Sequence, residues 1–185
     1  MNELSLYLLD ITQNSIKAQA KVVQINIEEN LYKNLLSIDI IDDGCGMSKD
    51  VVSRVSDPFY TTRTTRKVGL GIPLLKELCE LCCGTFSIES EVNKGTTLKC
   101  TFVYDNIDLP PFGDLPETIY TLAINEENVE IIYHHRYVDK EGNVKEFCFN
   151  TIEIKQILDG VSLKEYDVMV WIKSYLTESL KTIKS

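Results

Sequence analysis

The chain has 185 residues, of which 44% are hydrophobic and 25% charged, the ordinary balance of a globular protein. This length predicts one well-buried domain, or one domain with a small appendage. No segment approaches the roughly 18 consecutive apolar residues of a membrane span, and the start, Met1 to Leu4, lacks the features of a secretory signal. The sequence therefore predicts a soluble cytoplasmic protein that does not bind membranes.

Charge is uneven along the chain, whose formal net charge is −9. Residues 105–185 hold 8 Lys and Arg against 15 Asp and Glu. An acidic surface repels phosphate backbones, so we expect no nucleic-acid partner.

The predicted elements of the first hundred residues alternate between helical and strand patterns. In chain order they are a helix over 4–18, strands over 23–28 and 36–42, a short helix over 48–55, a polar loop over 61–67, a helix over 72–82, and strands over 85–91 and 96–104. The two pairs of predicted strands, together with the helices between them, predict a helix–sheet sandwich.

A proline-rich segment over 105–116 predicts a linker, and we place a domain boundary before it. Beyond it the pattern predicts strands over 119–124, 129–138 and 145–151 and a helix over 163–182. The expected organisation is a first domain over 1–104, a linker over 105–116 and a small acidic α+β module over 117–185.

Six cysteines without an export signal predict reduced thiols. The spacing of Cys79, Cys82 and Cys83 is open to a soft metal, but buried packing residues on one apolar helix are the favoured interpretation. His134 and His135 fall on opposite faces of a predicted strand, which disfavours a metal pair.

Four short segments of the first hundred residues combine polar side chains with glycine turns. Asp10 and Asn14 lie one helical turn apart, so both side chains share a helix face. Asp42 ends a strand at the glycine turn 42–47, where the backbone can approach a ligand closely. Residues 57–63 lead through a polar loop to Gly69-Leu70-Gly71-Ile72 at a helix start, where backbone N–H groups favour anions. The fourth segment, residues 94–98, lies at the start of the predicted strand over 96–104. Neither a Walker A run nor Gly-x-Gly-x-x-Gly occurs.

In this order the four segments resemble the nucleotide-binding boxes of the family that includes DNA gyrase B, heat-shock chaperone ATPases, sensor histidine kinases and mismatch-repair ATPases. The resemblance covers roughly residues 4–104 and is nearest to a histidine-kinase-like ATPase domain. It implies an α+β fold of Bergerat type, a two-layer α/β sandwich with a mixed sheet and a small C-terminal α+β extension. It implies ATP and Mg²⁺ as ligands.

The resemblance also implies roles for individual residues. Asn14 would give its side-chain oxygen to Mg²⁺, and Asp10, where many hydrolytic members carry Glu, would be the catalytic general base. Asp42 would accept the adenine amino hydrogen, with Thr96 beside it. The other nucleotide-binding positions implied are Lys17, Gly44, Gly46, Met47, Phe59, Thr61, Thr62, Arg63, Gly69, Leu70, Gly71 and Ile72. For Asp10, Lys17 and Arg63 the alternative is an ordinary solvated surface charge.

Sensor kinases carry a phosphoacceptor histidine on a helix before the ATP domain, and only nine residues precede Asp10 here. Three functions stay open: a stand-alone ATPase or protein kinase acting on a protein partner, an ATP-gated switch closed by the 61–68 segment, and a catalytically silent ATP sensor. The sequence does not decide whether the protein is an enzyme, and a homodimer is left open.

Overall fold

The computed structural model describes residues 3–55, 70–125 and 127–185, and these contain six strands and six helices. In chain order they are α1 (Leu4–Lys17), β1 (Val22–Asn30), β2 (Leu35–Asp42), α2 (Lys49–Arg54), α3 (Gly71–Leu81), β3 (Phe86–Glu91), β4 (Gly95–Val103), α4 (Leu115–Ala123), β5 (Glu130–Val138), β6 (Val144–Asn150), α5 (Thr151–Leu158) and α6 (Tyr166–Lys184). The helices and strands predicted before residue 104 are confirmed to within about two residues at their ends, whereas the predicted loop over 61–67 lies outside the described residues.

All six strands form one mixed sheet in the order β3-β4-β2-β1-β5-β6. Neighbouring strands are antiparallel except β1 and β5, which pair in parallel. The predicted α+β class with a mixed sheet is confirmed.

One layer of helices packs on this sheet, with contacts running from α3 to α1, from α1 to α4 and from α4 to α6. The strand alternation explains the packing, because Val23, Ile25 and Ile27 on β1 are at most 1% exposed. Burying each such side chain stabilises the fold by about 2 kcal/mol. The core of this two-layer sandwich lies between α1 and the centre of the sheet.

The predicted strand over 119–124 is wrong, since residues 119–123 belong to α4 and Ile124 is its C-cap. Asp114 caps this helix by accepting a hydrogen bond from the Glu117 N–H at 2.9 Å, and Pro116 occupies its first turn. A short apolar run does not by itself distinguish a strand from a buried helix. Helix α5 was not predicted at all, and Asn150 caps it through a bond from the Ile152 N–H.

The sheet and the core continue across the predicted boundary at residue 104. Strand β5 pairs with β1 over its whole length. The first N–H groups of α1, at Leu4 and Ser5, donate to the carbonyl oxygens of Pro111 and Phe112 at 2.9 Å each. The strands of residues 117–185 thus complete the sheet of the first half. That these residues form a separate module stays a prediction.

The cysteines are all free, and the expected packing role holds for two of the three in question. Cys79 and Cys82 are fully buried in the core. Cys83 is exposed, against expectation, because α3 has already ended at Leu81 and Cys83 adopts a left-handed conformation with φ of +54°. Within the described residues no three or more His, Cys, Asp or Glu side chains come together in a group that could hold a metal ion.

A buried polar network joins β1 to β5. Glu29 is 1% exposed and accepts hydrogen bonds from His135 Nε2 at 2.7 Å, the Tyr104 hydroxyl at 2.9 Å and Lys184 Nζ at 2.5 Å. His135 is fully buried, and its Nδ1 lies 2.5 Å from the Tyr133 hydroxyl. Burial lowers the pKa of His135, although the hydrogen bond to Glu29 opposes this shift.

Among residues 3–55, 70–125 and 127–185, no helix combines the length and the apolar character that crossing a bilayer requires.

Candidate functional site

A cavity of about 550 Å³ opens between α1, α2, the start of α3 and strands β2, β3 and β4. Its volume lies within the range of about 300–1,000 Å³ that is usual for small-molecule and cofactor sites. The lining residues are Ile11, Asn14, Ser15, Lys17, Ala18, Ile40, Asp42, Cys45, Gly46, Met47, Ser48, Val51, Val55, Ile72, Ile88, Thr96 and Leu98. An apolar pocket with a few polar groups at fixed places is typical of a binding site.

Asp42 is the most constrained polar group of this cavity. Its side chain is 8% exposed, and its Oδ2 accepts a hydrogen bond from the Ser15 hydroxyl at 2.6 Å. Its Oδ1 accepts from the Gly44 N–H at 3.0 Å and the Thr96 N–H at 3.2 Å. Three donors from three segments thus fix the carboxylate in one orientation, with acceptor capacity left for a ligand.

Two glycines around Asp42 are required by the geometry of the turn. Gly95 has φ of +99°, and a Cβ there would lie 1.9 Å from the carbonyl oxygen of Asp42. Gly46 has φ of +63°, and a Cβ would lie 2.0 Å from the carbonyl oxygen of Glu91. Because both neighbours are backbone atoms, no side-chain movement relieves the overlap, and these positions accept only glycine without rearrangement.

Helix α1 supplies the polar groups of the opposite wall. Asn14 and Lys17 line the cavity. Asp10, one turn before Asn14, is not among the lining residues. Its carboxylate lies against Gly71 at the start of α3, where a Cβ would come within 1.9 Å of Asp10 Oδ2. A carboxylate at this place faces the positive end of the α3 dipole.

The predicted site residues separate into three groups. Those that line the cavity are Asn14, Lys17, Asp42, Gly46, Met47, Ile72 and Thr96. Those that adjoin it are Asp10, Gly44, Leu70 and Gly71. Those that lie outside the described residues are Phe59, Thr61, Thr62, Arg63 and Gly69. The structure therefore brings seven of the predicted residues together around one space, and their roles toward a ligand stay predictions.

Sequence reasoning missed two hydroxyl residues, Ser15 and Ser90. Ser15 directly follows Asn14 and was not among the predicted site residues, although its hydroxyl donates a hydrogen bond to Asp42. Ser90 contacts Thr96 across the β3–β4 pair, with 2.9 Å between the hydroxyl oxygens. No local signal marks Ser90, because strand register is a tertiary property.

A mixed sheet, a covering layer of helices and a cavity with polar groups at one end are the features of a domain that binds a small ligand. The model of the histidine kinase-, DNA gyrase B- and HSP90-like ATPases matches residues 2–106, more than half of the chain, and the chain belongs to this family. It contains an ATP-binding, histidine-kinase-like ATPase domain, as the four sequence segments predict.

Two curated relatives come from staphylococci. The heme sensor protein HssS of Staphylococcus saprophyticus is 33% identical over 96 residues, which are 50% of this chain and 20% of that protein. The signal transduction histidine-protein kinase ArlS of Staphylococcus aureus is 32% identical over 102 residues, 52% of this chain and 22% of that protein. The chain thus spans about a fifth of the length of these relatives.

A solved structure described as the N-terminal domain of a DNA repair protein has a similar fold. It superimposes with a TM-score of 0.50 at 16% identity and covers 79% of this chain and 52% of its own. This coverage extends well beyond half of the chain, so the likeness in fold includes part of the region after residue 106.

Proposed function

We propose that the chain binds Mg²⁺-ATP in the cavity between α1 and the sheet and acts as a stand-alone protein kinase or regulatory ATPase on a protein partner. The observation that carries the proposal is the buried carboxylate of Asp42, held by three hydrogen-bond donors at the cavity wall. A fixed carboxylate is a pure acceptor, which suits the exocyclic amino group of adenine.

The residues fit ATP and its metal ion. Apolar side chains from both layers, including Ile11 on α1 and Ile40 and Leu98 on the sheet, offer a surface for a flat purine ring beside Asp42. Asn14 offers a side-chain oxygen, the ligand element that the hard ion Mg²⁺ prefers, and Lys17 supplies a positive charge for phosphate. When bound, the metal ion would neutralise charge on the phosphate oxygens.

Under this proposal the start of α3 holds the phosphates. Its first N–H groups have no partner within the helix, and the helix dipole favours anions there. Asp10 lies against Gly71 at this end, where a carboxylate acting as general base would be close to the reacting phosphate. Phosphate contacts by Phe59, Thr61, Thr62, Arg63 and Gly69 remain part of the proposal from the family resemblance.

Titration calorimetry with ATP and Mg²⁺ tests the site. We expect Asp42→Asn to lower the affinity for ATP about tenfold to a hundredfold, because a charge-assisted hydrogen bond is lost. We expect Asn14→Ala to weaken the Mg²⁺-dependent part of binding. Asp39→Asn on the same strand and Gln13→Ala on the same helix are matched controls with no contact to the cavity. Unchanged affinity in both site variants would contradict the proposed pocket.

Incubation with γ-labelled ATP separates the activities. Label transferred to a protein indicates a kinase, and release of free phosphate indicates a regulatory or switch ATPase. ATP binding without either product indicates a sensor, which would refute the catalytic part of the proposal.

A further inference from the structure

Ser90 on β3 pairs with Thr96 on β4 but does not line the cavity, and it makes three polar contacts. Its hydroxyl donates to the Gly95 carbonyl oxygen at 2.8 Å and accepts a hydrogen bond from the Met47 N–H at 2.8 Å. Its Oγ also lies 2.9 Å from Thr96 Oγ1. The residue thus connects the glycine turn at Met47 to the polar wall of the cavity.

The number of protons in this cluster fixes the direction of each bond. A serine hydroxyl has one proton and two lone pairs. Since Ser90 gives its proton to the Gly95 carbonyl oxygen, the Ser90–Thr96 contact requires the Thr96 hydroxyl to be the donor. The proton of Thr96 is therefore directed away from the cavity, and Thr96 presents lone pairs to a ligand.

Ser15 and Asp42, which lie near Thr96, also face the cavity as hydrogen-bond acceptors. Ser15 gives its proton to Asp42 Oδ2 at 2.6 Å, and the ionised Asp42 has no proton to give. Ser15, Asp42 and Thr96 all line the cavity, and the three are joined by hydrogen bonds. This end of the cavity consequently offers hydrogen-bond acceptors from all three side chains.

We infer that Ser90 is a positioning residue that holds Thr96 as an acceptor, so that the site selects a purine with a 6-amino group over a 6-oxo purine. The inference rests on the proposed binding of ATP in this cavity. A 6-oxo purine carries an acceptor where adenine carries a donor, so its oxygen would face lone pairs with no proton between them. Leaving such groups unpaired is the strongest source of discrimination between ligands of similar shape.

Inosine triphosphate is the appropriate probe, because its base has the 6-oxo group and otherwise the shape of adenine. Affinities of the full chain for ATP and inosine triphosphate are measured by calorimetry with Mg²⁺. We expect ATP to bind at least about tenfold more tightly than inosine triphosphate. We expect Ser90→Ala to lower this ratio about threefold or more, because the Thr96 hydroxyl is then free to donate to the 6-oxo oxygen.

Two variants separate positioning from a structural role. Ser90→Thr keeps a hydroxyl and should keep the native ratio. In a Thr96→Val background, Ser90→Ala should no longer change the ratio, because the hydroxyl it orients is gone. Ser87→Ala, an exposed serine on the same strand, is the control. Should Ser90→Ala fail to fold, as judged by thermal unfolding, Ser90→Cys replaces it, since a thiol is a weak hydrogen-bond partner.

Each outcome decides the question. A folded Ser90→Ala protein with the native affinity ratio, or a native chain that binds both nucleotides equally, overturns the inference and leaves ATP binding intact. A native chain that binds neither nucleotide overturns the proposed function itself. A lower ratio in Ser90→Ala that Ser90→Thr restores supports the positioning role.

Discussion

Replacement of Gly95 by alanine probes how closely β4 approaches Asp42. The residue has φ of +99°, and the new Cβ would lie 1.9 Å from the Asp42 carbonyl oxygen and 2.8 Å from its carbonyl carbon. Two separate terms oppose the substitution. A side chain in this backbone region costs roughly 1–3 kcal/mol. The overlap with backbone forces β2 and β4 apart and costs a further 1–3 kcal/mol, as overpacking typically does, giving roughly 2–6 kcal/mol in all.

Gly160 supplies a matched control, because the two terms can be separated by comparison. It has φ of +90°, nearly the same backbone conformation, but a Cβ there would meet nothing within 4 Å. Gly160→Ala should therefore show only the backbone term, about 1–3 kcal/mol. Since a domain of this size is stabilised by about 5–15 kcal/mol, both proteins should still fold and be measurable.

Urea denaturation followed by circular dichroism gives the free energy of unfolding of each variant, and calorimetry gives its affinity for ATP. We expect Gly95→Ala to lose more stability than Gly160→Ala and also to bind ATP more weakly, because Asp42 moves with the strand. Equal losses of stability in the two variants would refute the argument from close approach. A destabilised Gly95→Ala protein with native ATP affinity would refute the link between this turn and the site.

Two further changes test the buried network and the position of the proposed base. Burial alone would raise the pKa of Glu29, but hydrogen bonds from His135 and a lysine lower it overall, and burial lowers the pKa of His135. Both groups bind fewer protons when folded, so stability should be full above about pH 6.5 and fall as the pH decreases. His135→Gln should flatten that decline between pH 7 and 5.5 in thermal unfolding, whereas His134→Gln should not, and parallel profiles would contradict this. Gly71→Ala must displace the Asp10 carboxylate, so we expect phosphoryl transfer from ATP to slow about tenfold to a hundredfold with the fold intact. A native single-turnover rate would argue against Asp10 as the base.

The sequence predicts those parts of the fold whose physical cause is local. Alternation at period two places Val23, Ile25 and Ile27 in the core, and the helical stripe from Leu4 onward marks the buried face of α1. The position of Asp42 at a strand end could be predicted for the same reason, because the strand pattern stops at a glycine turn, whereas its role toward adenine was implied only by the family resemblance. These features follow from the local sequence alone and do not depend on which segments pack against them.

The features that escaped prediction depend on contacts between distant segments. From the sequence, Glu29 resembles an exposed polar residue at a strand end. It occupies the inward-facing position after Ile27, and its burial is stabilised by contacts with His135 and Lys184. The direction of the Thr96 proton depends in turn on Ser90 across the strand pair. In each case the residue type is compatible with an exposed surface, and only the tertiary partner makes burial favourable.

The region after residue 104 contributes directly to the geometry of the site, even though it supplies none of the cavity's lining residues. Glu3 at the start of α1 makes no side-chain cap, so the N–H groups of Leu4 and Ser5 depend on the carbonyl oxygens of Pro111 and Phe112. Strand β5 also occupies the edge of β1, which would otherwise leave a row of unpaired backbone groups. Because α1 carries Asn14, Ser15 and Lys17, the contacts that the C-terminal region makes with the start of this helix hold in place one wall of the cavity.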